Sequence, residues 1–199
     1  MSSLSRPAIN VVVTDANIII NLLHVDRLNF LGKLPPYSFV VPEQVIAEVC
    51  NPAQSAALTV AIANAVLSEV KLLDISELTR YADPLKVLGS GEAACLALAE
   101  TRGWYLASDE RKLFLREATK RIGRARILNT AGIFVKAIRL GLLTVDEADQ
   151  DKKTPDCSLV SSTNSVEDCL RNYVVHFAEA PGTSRLHQLL AAFSCRHCN

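Results

Sequence analysis

Short β-branched runs alternate with longer helical patterns over the first two thirds of the chain. Ile9-Asn10-Val11-Val12-Val13-Thr14 is a nearly continuous apolar run without strict alternation, as expected of a strand buried on both faces. Further strands are expected near 38–41, 70–73, 104–107 and 125–128, with helices near 16–23, 26–32, 42–50, 53–68, 76–81, 91–102, 110–122 and 130–140. Pro42 suits a first helical turn, where its missing N–H would have no partner anyway. Ser90 can cap the helix that follows it, and Thr144 with Glu147 has the spacing of a capping box. The alternation predicts an α/β domain with a mainly parallel sheet of about five strands.

The pattern changes after residue 148. Residues 149–165 are rich in Asp, Lys, Ser, Thr and Pro and read as a linker. Beyond it, Val166, Cys169, Leu170, Tyr173, Val174 and Phe177 form one helical stripe. Pro181-Gly182 interrupts it, and Leu186, Leu189, Leu190 and Phe193 form a second. The expectation is a main domain over 1–148 and a helical hairpin extension over 166–199, packed on that domain or on a partner chain.

Composition adds bounds. The chain has 199 residues, 49% hydrophobic and 21% charged, enough apolar material for a core. The formal net charge is +0, yet from Arg111 to Arg139 nine cations face Glu117 alone in the sequence. A basic face that meets a phosphate backbone and an ordinary solvated helix pair are both compatible with that asymmetry. The N-terminal apolar stretch is interrupted by Asp15, Asn17 and Asn21, which argues against a signal peptide or a membrane span, and a cytoplasmic location is expected. The six cysteines read as reduced thiols, with Cys50 and Cys95 as small residues in helical patterns. Cys195-Arg196-His197-Cys198 is a lone Cys-x-x-Cys without the second short pair of a zinc knuckle, so a frayed reduced terminus competes with structural zinc.

Four carboxylates stand at element ends. Asp15 follows the first strand, Asp109 follows Trp104-Tyr105-Leu106-Ala107-Ser108, Glu48 closes the pattern from Pro42, and Glu92 lies in the first turn after Ser90. Asp15 and Asp109 sit where open parallel sheets bind ligands, beyond the carboxyl ends of strands. Glu48, three residues after Val45, is expected on the inward side of its helix, and Glu43 on the solvated side. Each acid also has an ordinary reading. Asp15 and Asp109 can be helix N-caps, Glu92 can favour a helix dipole, and Glu48 can be a surface acid. Taken together, four such acids need cations to stay ionised in a partly buried pocket. An oxygen-only donor set selects Mg2+ or Mn2+, and a metal-activated water attacking a phosphodiester needs no side-chain nucleophile. Neither a Gly-x-Ser-x-Gly elbow nor a Walker-type loop is present.

These residues resemble the PIN-domain family of metal-dependent ribonucleases, in particular the toxins of type II toxin–antitoxin pairs (VapC-like). The likeness runs through Val13-Thr14-Asp15-Ala16-Asn17-Ile18-Ile19, Val41-Pro42-Glu43-Gln44-Val45-Ile46-Ala47-Glu48-Val49, Gly91-Glu92-Ala93-Ala94-Cys95-Leu96-Ala97-Leu98-Ala99 and Leu106-Ala107-Ser108-Asp109-Glu110-Arg111-Lys112. It implies a three-layer α/β/α fold, with Asp15, Glu48, Glu92 and Asp109 as the acidic quartet around Mg2+ or Mn2+ and with Thr14 and Asn17 in support. Asn129 and Thr130 stand where the family often has a further polar or acidic residue. Either orients a metal-bound water, or Asn129 caps the next helix.

The expected function is therefore an endoribonuclease, the toxin of a toxin–antitoxin pair. It would be a homodimer with an antitoxin partner, and Arg111, Lys112, Arg116 and Lys120 would hold the RNA backbone. The alternative is a non-catalytic RNA-binding or protein-interaction module on the same fold. A haloacid-dehalogenase-type phosphohydrolase is disfavoured because Asn17 stands where that chemistry wants a second carboxylate.

Overall fold

The computed structural model describes residues 9–110 and 112–152. The expected hairpin at 166–199, the Cys195–Cys198 pair, most of the expected linker and Arg111 lie outside the described residues.

Five strands form one all-parallel sheet in the order β3-β2-β1-β4-β5. They are β1 (Asn10–Thr14), β2 (Tyr37–Pro42), β3 (Ser68–Val70), β4 (Tyr105–Ala107) and β5 (Ile127–Leu128). β1 lies in the middle, with Val12 opposite Phe39 of β2 on one side and opposite Tyr105 of β4 on the other. Val12, Val13, Phe39, Val41 and Leu106 are buried, as a sheet covered on both faces requires. Helices α1 (Ala16–His24), α2 (Glu43–Glu48), α3 (Pro52–Ala63), α4 (Ile75–Ala82), α5 (Ser90–Arg102), α6 (Leu113–Ile122), α7 (Thr130–Arg139) and α8 (Val145–Lys152) complete a three-layer α/β/α domain. Among the described residues, no helix is long and apolar enough to cross a membrane.

Helix α5 forms the middle of the core. Gly91 and the run Ala93 to Ala99 are all buried, a helix apolar on nearly every side and enclosed by α2, α4, α6 and the sheet. Its alanines and leucines are strong helix formers, and Gly103 ends it in the left-handed region (φ 68°), its N–H donating to Ala99 O.

Several expected boundaries shift for local reasons. The helix expected over 53–68 stops at Ala63, because Asn64 and Ala65 (φ 54°) turn the chain, so β3 begins at Ser68 rather than near residue 70. The segment expected as a helix at 26–32 is a 3-10 turn, Leu28–Lys33. Pro42 ends β2 and holds the N-cap position of α2. Gly89, not Ser90, precedes α5, and the Glu92 carboxylate accepts the Gly89 N–H at 2.9 Å. The Thr144–Glu147 capping box forms as expected, and α8 runs on through Lys152 into the expected linker. Asp151 holds that last turn, accepting from the Arg27 Nε at 2.8 Å.

Glu77 joins the far side of the domain. Its buried carboxylate accepts from the Leu73 and Asp74 N–H groups at the start of α4 and is paired with Arg102 at the end of α5. Arg102 also donates to Lys71 O and lies over the Trp104 ring, 4.7 Å from its centroid. The guanidinium holds the Glu77 pKa down to about 2, against an ordinary 4.5. A depressed acid stabilises the fold above its unfolded pKa, and that stabilisation is lost as pH falls from 4.5 towards 2. Glu77→Gln is expected to cost about 3 kcal/mol in urea unfolding at pH 7, because Arg102 keeps its charge and loses the carboxylate that neutralises it. The difference from the native chain should shrink steadily below pH 4.5.

Candidate functional site

From β1 and β4 the sheet runs out in opposite directions, so their carboxyl ends border the crevice where open parallel sheets take ligands. Asp15 follows β1 and caps α1. Its Oδ1 accepts the Ala16 N–H at 2.8 Å, its Oδ2 accepts the Ser108 hydroxyl at 3.0 Å, and the residue is only 3% exposed. Burial raises its pKa from 3.8 to about 7. The two hydrogen bonds oppose the rise, and repulsion from Glu92 and Glu48 adds to it.

Glu48 ends α2 and is exposed overall, in contrast to the inward face expected for it, because α2 spans only Glu43–Glu48 and finishes at the surface. Its carboxylate nevertheless reaches the start of α5, where Oε1 accepts the Ser90 hydroxyl at 3.0 Å and the Gly91 N–H at 2.8 Å. That approach requires glycine: a Cβ on Gly91 would lie 2.4 Å from the Glu48 Oε2. Glu43 is exposed and paired with Lys71, as a solvated acid should be. Glu92, half-buried one residue after Gly91, has its pKa raised by burial. The Gly89 hydrogen bond opposes this, and Glu110 and Glu48 reinforce it. Behind these acids Cys95 is fully buried, its thiol pushed well above its ordinary value by burial and then by Asp15, Glu48 and Glu92. It is a neutral core residue.

Asp109 follows β4 and Ser108. Its Oδ1 accepts the Thr130 N–H at 2.9 Å, and its Oδ2 accepts the Asn21 Nδ2 at 2.7 Å and the Thr130 hydroxyl. Asn17 bridges the two acids of the turn, with Oδ1 accepting the Asp109 N–H at 3.2 Å and Nδ2 donating to the Glu110 Oε1 at 3.0 Å. Asn129 caps α7 by accepting the Gly132 N–H at 2.8 Å. The Thr14 hydroxyl turns back to Val12 O at 3.5 Å and does not bond Asp15.

Asp15, Glu48 and Glu92 are thus close enough to act on one another's charge, and Glu110 acts on Glu92. The donors are all oxygen, a set that fits a hard divalent cation, and a cation between them would relieve the repulsion that raises Asp15 and Glu92. Among the described residues, however, no three His, Cys, Asp or Glu side chains converge closely enough to hold a metal ion as they stand. Glu48 and Asp109 are occupied by protein donors instead.

Sequence reading overlooked Ser90, Gly91, Ser108, Asn21 and Glu110. Asn21 carried a signal, for it stands four residues after Asn17 on one face of an otherwise apolar helix. The hydroxyls carried none, since serine beside an acid is ordinary. The cations of the 111–139 segment are also less free than their sequence neighbours imply. Arg121 pairs with Asp83 and Glu100, Lys136 donates to the Tyr37 hydroxyl at 2.8 Å, and Arg126 to Ile122 O. Lys112, Arg116 and Lys120 are exposed, Arg116 lying 3.8 Å from Glu117.

A family model for the PIN domain matches residues 11–150. No curated protein and no solved structure matches the chain.

The raised acid makes its own stability test. The folded state keeps the Asp15 proton that the unfolded chain releases, so this contribution is complete below pH 3.8 and lost as pH rises to about 7. In chelator, Asp15→Asn should be more stable than the native chain at pH 8 by about 2 kcal/mol, since it removes an unpaired buried charge. The gain should vanish near pH 4. A variant less stable at both pH values would contradict the raised pKa.

Proposed function

Because the chain belongs to the PIN-domain family, a nuclease-type fold, we propose that it is a Mg2+- or Mn2+-dependent endoribonuclease. The observation that carries the proposal is the mutual repulsion of Asp15, Glu48 and Glu92 at the carboxyl edge of the sheet, with Asp15 buried and its pKa near 7. A buried acid raised by desolvation and by like charges, with no cation paired to it among the described residues, is a candidate for a functional site.

Asp15, Glu48 and Glu92 would hold the cation, with the fourth carboxylate drawn from the Asp109-Glu110 turn. With Mg2+ or Mn2+ bound, the chemistry supplied is activation of water and neutralisation of charge on the phosphodiester. The chain's own part is orientation. The Ser108 hydroxyl fixes one oxygen of Asp15, Ser90 and the Gly91 N–H fix Glu48, and Asn17 fixes the turn after β4. Exposed Lys112, Arg116 and Lys120, with Arg111 beside them in sequence, would take the RNA backbone. The toxin role, an antitoxin partner, a homodimer and a cytoplasmic setting belong to this proposal through the resemblance of the four motifs.

One observation favours the second reading, a non-catalytic RNA-binding or interaction module: the acids do not converge on a single point. Cleavage separates the two. The native chain is expected to cut single-stranded RNA with Mn2+ and not in chelator. Asp15→Asn should fold and lose the activity by about a thousandfold or more, in line with loss of a principal electrostatic group. RNA binding without metal-dependent cleavage by the native chain would establish the module instead.

A further inference from the structure

The turn after β4 carries two adjacent acids, and their surroundings differ sharply. Asp109 faces inward. Its two oxygens receive three donors, from the Thr130 N–H, the Thr130 hydroxyl and the Asn21 amide, and both partner residues are buried at 0% and 2% exposure. An ionised carboxylate has about four lone-pair sites, so three of those on Asp109 are taken by buried protein donors and one remains. These bonds join three elements: the exit of β4, the middle of α1 and the first residue of α7.

Glu110 has the opposite setting. It is exposed, and among the described residues its carboxylate accepts a hydrogen bond from Asn17 alone. Its N–H donates to the Ser108 hydroxyl at 3.1 Å, the same hydroxyl that donates to Asp15, so the residue is tied to the Asp15 corner of the crevice. Asn17 accepts from the backbone of one acid and donates to the side chain of the other.

We propose that the two acids divide the work: Asp109 is a positioning residue that locks the β4 exit to α1 and α7, and Glu110 is the carboxylate presented to the cation site. Asn21 and Thr130 are then part of the lock. The role of Glu110 rests on the nuclease reading; the lock does not.

The test uses the full chain, Mn2+ alone as the probe, binding calorimetry for affinity and thermal unfolding in chelator for stability. Glu110→Gln is expected to weaken Mn2+ affinity by about tenfold or more while leaving the chelator midpoint unchanged. Asp109→Asn is expected to lower that midpoint by several degrees and to retain more Mn2+ affinity than Glu110→Gln. Asn21→Ala should lower the midpoint too, and the double variant should fall by less than the sum, because both substitutions break one network. If Asp109→Asn does not fold, Asn21→Ala carries the same comparison. A larger affinity loss in Asp109→Asn or Asn21→Ala than in Glu110→Gln overturns the division of roles. So does a chelator midpoint for Glu110→Gln as low as that of the lock variants. A native chain that binds no Mn2+ removes the nuclease reading and Glu110's part together, whereas additive effects at Asp109 and Asn21 remove the lock alone.

Discussion

A single unpaired acid buried at the end of the central strand sets the terms for this domain. Asp15 is closed from water, and the charges acting on it, Glu92 and Glu48, have its own sign. The same chain shows what a buried acid looks like when its role is structural. Glu77 is equally buried, but Arg102 pairs with it and its pKa falls to about 2, while that of Asp15 rises to about 7. Two buried acids shifted in opposite directions distinguish a fold-building ion pair from a site that awaits positive charge.

The rest of the crevice accommodates that acid. The parallel sheet delivers Asp15 and the turn after β4 to one edge, and buried α5 brings Glu92 and the Gly91 N–H to the same place. Only glycine at position 91 lets the Glu48 carboxylate come down on the helix start. Ser108, Asn17 and Asn21 contribute neutral donors, which orient carboxylates without neutralising them. The carboxylates are therefore held in place while the repulsion that helps to raise Asp15 is left unrelieved.

Much of this was legible in the sequence, and the remainder was not for identifiable reasons. The β1 run and the Ala/Leu-rich α5 announce buried elements, and the strand-end placement of Asp15 and Asp109 follows from topology alone. The shift of β3 was hidden because Ala65 takes a left-handed conformation that its residue type does not advertise. The surface position of Glu48 was hidden because helical phase says little about a helix that is over in six residues. Asp109 and Glu110 could not be told apart, since adjacent acids differ only in which partners the fold sets opposite them. Likewise, counting charges along 111–139 missed Asp83 and Glu100, which reach Arg121 from other elements.

The central claim is that Asp15 belongs to a divalent-cation site, and carboxyl-carbon NMR titration of Asp15 with and without Mg2+ tests it most directly. The account predicts that Asp15 titrates near pH 7 in chelator and that Mg2+ carries its pKa well below the ordinary carboxylate range. An Asp15 that titrates near 3.8 in chelator, or whose raised pKa ignores Mg2+, would contradict it.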